Sequence, residues 1–198
     1  MRRFTKWDTT GDYLRQLQIV VWLALAAVLI GVVTGLVRAF AEATVPADLP
    51  IDPAAYPGAS LPAGTSASST GQIGVDIGSP TAWQRVLHVL TWFPTASVLL
   101  AALAALAVVL HRARRTDPFT PRIAGGLRVI GAVLLAGMIG ALVEGGAELV
   151  LDRTVDSSRT AGGFEVAVGW PLAGLGCFVV AEILARGTRM RDDLATVI

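Results

Sequence analysis

Cysteine, lysine and charge are all scarce in this sequence of 198 residues. There is one cysteine, one lysine, two histidines, and only 16% of the residues are charged. The single thiol, Cys177, excludes an internal disulfide and is too little sulfur for a cysteine-based zinc site. It also has no basic neighbour in sequence that would activate it, and reads as a small packing residue. A net charge of +1 offers no excess of positive charge for gripping nucleic acid directly. The sequence contains no G-x-S-x-G, no phosphate loop, no H-E-x-x-H and no Cys-x-x-Cys. No catalytic residue, cofactor or metal ligand is therefore assigned, and the expectation is a protein that is not an enzyme. The third alternative is an intramembrane enzyme, supported only by the paired carboxylates Glu144 and Glu148. Soluble domains run near 25% charged, so an ordinary water-soluble globule is excluded as well.

What is abundant is apolar surface. Hydrophobic residues make up 54% of the chain, the mean hydropathy is +0.63, and the apolar residues lie in runs. Gln16–Val37 holds 22 residues without a charge, and the 25 residues between Arg85 and His111 are interrupted only by His88. Two shorter runs, Val129–Val143 and Val166–Ala181, end at Glu144 and Glu182. About 20 helical residues cross a hydrocarbon core of about 30 Å, so the first two span unaided. The shorter two need their flanks. From Arg128 to Glu144 is about 24 Å of helix, which places one of these charges inside the core; the arginine has the longer reach to the headgroups.

These runs predict an all-α integral membrane bundle of four transmembrane helices. Residues 1–15 form a tail, 16–40 the first span, 41–79 an outer loop and 80–110 the second span. A connection follows at 111–120, then a third span at 121–151, a second outer loop at 152–165, a fourth span at 166–185 and a tail at 186–198. Ser79-Pro80 and Thr120-Pro121 read as helix starts, each a capping hydroxyl before a proline at the first helical position. Pro94 and Pro171, early in their spans, are candidate kinks. The first span is longer than a signal-peptide core, and Arg38 separates it from the nearby Ala-x-Ala patterns, so it reads as an uncleaved anchor.

Charge asymmetry orients the chain. Twelve of the sixteen basic residues fall in the two tails and the middle connection, including Arg128 just inside the third helix; Arg38, Arg85, Arg153 and Arg159 fall on the other side. The positive-inside rule then puts both termini in the cytoplasm. The wealth of arginine, alanine and glycine fits a bacterium with a GC-rich genome, and hence a bacterial inner membrane. Trp7 suits the inner aromatic belt, Trp83, Trp92 and Trp170 the outer one, and Trp22 reads as a deeper packing residue. In the outer loop Pro62–Gly71 is low-complexity, while Ile73–Ile77 alternates like a short strand.

Several residues are candidates for more than spanning. Ala132, Ala136, Gly140, Glu144 and Glu148 share one face of the third helix. The small residues suit close helix packing; the glutamates would make a polar seam for a proton or cation, or be interfacial side chains paired with Arg85 or Arg38. Gly31 and Gly35 form a GxxxG pair on the first helix, usable inside the chain or in an oligomer, and Gly169, Ala173, Cys177, Ala181 and Ala185 a small seam on the fourth. Glu182 and Arg186 are placed for a local ion pair. His88 and His111 read as interfacial side chains.

Two stretches carry a resemblance. Asp117–Gly131 places Pro118 and Phe119 in a turn before a helix start with Leu127, Arg128 and Gly131. Ala185–Ile198 carries Gly187, Asp192, Asp193, Thr196 and Val197. With the four-span layout, these resemble a bacterial membrane family known as domain of unknown function twenty-nine seventy-five. Ile123 departs from that family's usual Asn, Gly126 from a basic residue, and Met190 from a Leu. The resemblance brings no activity, cofactor or catalytic residue. It implies a role beside small helix-turn-helix regulators. Because both stretches fall on the side expected to face the cytoplasm, Pro118, Phe119, Arg128, Gly187, Asp192 and Asp193 are candidate contacts for a cytoplasmic partner. The expectation is a membrane-embedded accessory or sensory component; the alternative is a small permease or ion-conducting oligomer using Glu144 and Glu148.

Overall fold

In a bilayer every backbone N–H and C=O must be satisfied within the protein, which leaves runs this apolar one regular solution, the helix. The computed structural model describes residues 9–50, 72–115, 120–155 and 168–195. Their order is α1 (Thr9–Ala41), β1 (Thr44–Pro50), β2 (Gln72–Gly78), α2 (Ala82–Leu90), α3 (Phe93–Arg115), α4 (Pro121–Val155) and α5 (Gly169–Ala195). Four segments are long and apolar enough to cross a membrane: Arg15–Ala41, Phe93–Arg114, Pro121–Val155 and Gly169–Arg191. The fold class is all-α with four spans, as the sequence predicts, plus one hairpin.

The boundaries differ from the expected ones in physically interpretable ways. The second span is not continuous from residue 80. Its first part is the separate helix α2, and the spanning helix α3 begins at Phe93. Pro94 explains the break: it has no N–H to continue the ladder, and it disfavours helical backbone in the residue before it. The chain closes α2 instead with Thr91 N donating to Leu87 O at 3.1 Å and Trp92 N to Val89 O at 3.4 Å. Pro94 and Pro171 both stand in the first turn of their helices, where the missing donor has no intrahelical partner to lose. The expected cap at Ser79 is displaced to Thr81. Thr81 Oγ1 accepts from Gln84 N at 3.3 Å and Gln84 Oε1 accepts from Thr81 N at 2.9 Å, a reciprocal capping box. Ser79 itself sits in the left-handed region, φ 57°, and turns the chain from β2 into α2. The other start, Thr120-Pro121, opens α4, with Ile123 N donating to Thr120 O at 3.0 Å. Both α4 and α5 continue past the expected ends of their spans, so residues 186–195 of the expected tail are helical.

The described chain packs as two units. The first draws on α1 up to Val33, α3 from Pro94, α4 up to Ala141, and α5. Here α1 meets α3 through Val21, Leu106, Ala107 and Leu110, and Arg114 of α3 donates to the Gln18 side chain of α1. Val109 of α3 lies directly over Gly126 of α4. A close backbone approach joins α4 to α5. A Cβ on Gly131 would stand 2.9 Å from the Phe178 ring and 3.0 Å from Gly174 O, and one on Gly174 would stand 2.9 Å from Gly131 O. Only glycine lets two backbones meet this closely.

The second unit draws on the end of α1 from Thr34, the hairpin, α2, and α4 from Leu142. β1 and β2 pair antiparallel from Thr44↔Gly78 to Pro50↔Gln72, so Val45, Ala47 and Leu49 stand in register with Ile77, Val75 and Ile73. The alternation over 73–77 does mark a strand; its partner, with prolines at 46 and 50, was not expected. Leu87 of α2 is buried with Ala147 and Leu151 of α4, and Ile77 and Leu90 pack beside them. Gln84 Nε2 ties α2 to α4 through Thr154 Oγ1 at 3.2 Å, and Arg85 donates to Ala39 O at the end of α1 at 2.8 Å.

Candidate functional site

The first unit gathers arginines. Because α1, α3, α4 and α5 touch in succession there, Arg15, Arg112, Arg114, Arg122, Arg128, Arg186, Arg189 and Arg191 belong to one unit, and all eight are exposed. At the α4–α5 contact a single carboxylate is shared. Glu182 Oε1 accepts from Arg186 Nε at 3.2 Å, one helical turn away, and its Oε2 accepts from Arg128 Nη2 at 3.2 Å across the helix boundary. The Glu182–Arg186 pair is the expected one. The bridge to Arg128 was not foreseen, although a signal existed: Arg128 opens the third apolar run and Glu182 closes the fourth, each beside a basic flank.

The second unit contains a cleft of about 190 Å³ among the end of α1, β1, α2 and the turn that follows α2. Arg38 and Glu42 form one wall, His88 and Trp92 another, with Thr44 and Val45 at the strand. Arg38 Nε lies 3.8 Å from a Glu42 oxygen, both side chains largely exposed, so this pair adds little stability. Half-burial of His88, on α2 outside the spanning helices, holds its imidazole below the ordinary histidine range because desolvation disfavours the charged ring. Trp92 closes the floor: its ring lies where a Cβ on Gly35 would stand, at 2.9 Å. The cleft gathers a guanidinium, a carboxylate and an imidazole around this volume. It escaped the sequence reading because 46 residues separate Ala39 from Arg85.

Other candidates fall elsewhere. Glu144 is half-buried and Glu148 exposed on α4, and neither lines the cleft. Arg85 and Arg38, the partners considered for Glu144, make the contacts with Ala39 and Glu42 just described. Of the small seam on α4, Gly140 is buried, with Pro94 in ordinary contact beyond it, while Ala132 and Ala136 are exposed; the tight positions lie at Gly131 and Gly137 instead. Of the GxxxG pair, Gly35 packs on Trp92, whereas a Cβ on Gly31 would meet nothing within 4 Å. On α5, Ala181 is fully buried, but Gly169 and Ala173 are exposed. Trp22, expected to pack, is 53% exposed, which in a bilayer is contact with lipid. Gly187 is exposed on α5; Asp192 and Asp193 lie on the helix near its end. Pro118 and Phe119 lie outside the described residues. Among the described residues no cluster of three His, Cys, Asp or Glu could hold a metal.

Four spanning helices with arginines concentrated at their ends define a multi-pass helical membrane protein. Residues 75–198 match the family described as protein of unknown function (DUF2975), and the chain belongs to that family. No curated relative and no solved structure matches the chain.

Proposed function

We propose that this protein is an accessory or sensory component of a bacterial inner membrane, with both termini in the cytoplasm, that docks a soluble partner through its arginine-rich end. The observation that carries this reading is the course of α5. The helix runs 27 residues, about 40 Å, and so extends beyond a hydrocarbon core of about 30 Å. Its last two turns hold Arg189 and Arg191, both exposed, in the unit that also holds the arginines of α3 and α4. Such an end attracts an acidic surface on a soluble protein, and a small helix-turn-helix regulator is the candidate partner. The cleft beside His88 supplies a place for an input signal in the other unit.

The test is affinity purification from the native membrane of the full chain and of a chain lacking residues 187–198. The expected result is a soluble protein recovered with the former and lost with the latter, while both run alike on size exclusion in detergent. Recovery of the same proteins by both chains would remove this docking surface.

A further inference from the structure

The Arg128–Glu182 contact fixes which exposed faces of α4 and α5 border one another. On α4, Ala132 and Ala136 follow Arg128 at four-residue spacing, and all three are exposed. On α5, Leu175 and Val179 precede Glu182 and Arg186 at helical spacing and are 54% and 58% exposed. Residues on such spacings share a helix face. The two stripes therefore flank one groove in the first unit, apolar along its length and closed at one end by two guanidinium groups.

The charge at that end is unbalanced. Among the described residues one carboxylate faces two guanidiniums, a local net charge of +1, and Glu182 engages a single nitrogen of each. A guanidinium carries five N–H donors in a planar fork that matches phosphate oxygens. Counted from Gly169, Glu182 lies about 20 Å and Arg186 about 26 Å along α5, short of the far margin of a core of about 30 Å, and the long arginine stems supply the remaining reach to a headgroup phosphate.

We infer that Arg128 and Arg186 hold the phosphate of an anionic phospholipid whose acyl chain lies along the groove between Ala132 and Val179. The shape accounts for Ala132 and Ala136, whose small side chains leave room beside the α4–α5 contact. Charge complementarity selects the occupant. A second copy inserted in the same orientation would bring its own Arg128 and Arg186 to the same depth, positive against positive. A zwitterionic lipid brings a cationic group along with its phosphate. An anionic lipid neutralises the excess charge and fills the apolar groove at once. The inference does not rest on docking of a soluble partner, and its test uses the chain alone.

The experiment is native mass spectrometry of the purified full chain, counting phosphatidylglycerol and phosphatidylcholine of identical acyl chains retained from mixed micelles. The expected result is a preference of about fivefold to tenfold for phosphatidylglycerol. The preference falls in R128Q/R186Q and persists in the control R153Q, an exposed position of the other unit. E182Q keeps both guanidiniums and releases them from the carboxylate, so its preference rises; it decides the matter with opposite sign should the double variant fail to fold. Equal retention of the two lipids by the native chain, or a preference unchanged in both variants, overturns the inference. So does a lipid-free dimer, which would make a second copy the occupant. Displacement of the lipid by an equal concentration of glycerol phosphate would show that phosphate alone is recognised and overturn the acyl-chain seat.

Discussion

Gly131 and Gly174 meet carbonyl against backbone, and neither neighbour can yield to an added methyl as a flexible side-chain tip could. A Gly131→Ala change is expected to lower the stability of the purified protein by about 1–3 kcal/mol, the usual cost of overpacking. Gly31→Ala, where a Cβ would meet nothing within 4 Å, is expected to be neutral or to gain up to about 1 kcal/mol from helix propensity. Denaturation of both variants in one detergent checks the contrast; equal midpoints would show that the α4–α5 approach is not under steric constraint. The sequence could say that small residues would mediate packing, but not which. With 21 glycines in the chain, spacing identifies faces without saying which face meets protein and which meets lipid. Trp22 was misplaced for the same reason: in a bilayer an exposed indole and a buried one are both in apolar surroundings. The Glu182–Arg186 pair was legible because it is local; Arg128 joins it only through the packing of two helices.

At the scale of elements, α2 depends on its cap. A nine-residue helix is too short to persist by backbone hydrogen bonds alone, so its first turn is held by Thr81 and Gln84 and its middle by Leu87 on α4. Thr81→Ala is expected to cost about 1 kcal/mol locally, seen as roughly fivefold faster hydrogen exchange at the amides of Gln84 and Arg85. Unchanged exchange would mean that packing of Leu87 alone holds the turn. The division of the expected second span into α2 and α3 shows how a proline acts against an otherwise uninterrupted apolar run: hydropathy reads straight through residues 86–110, whereas the backbone cannot. The hairpin teaches the complementary lesson. Alternation exposed β2, but Pro46 and Pro50 argue against a strand at β1; a two-stranded hairpin tolerates them because each strand has an outer edge where no donor is required.

For the molecule as a whole, the distribution of arginine makes a claim about sidedness that labelling can test. In a Cys177→Ser background, a cysteine at Arg114 is expected to resist an impermeant thiol reagent on intact cells, and one at Ser68 to react. The opposite pattern would invert the proposed orientation, although the four spans would stand. Those spans were legible because length and charge are summed properties that no single contact can overturn. The division of the described chain into two packed units was not, since it depends on which segments of α1 and α4 meet which partners.

The pairing of Pro50 with Gln72 has a practical corollary. The polypeptide leaves the hairpin and re-enters it across a single rung, so the helices receive the same anchoring points whatever is strung between them. An epitope spliced between residues 50 and 72 is therefore expected to leave the pairing of β1 with β2 in register.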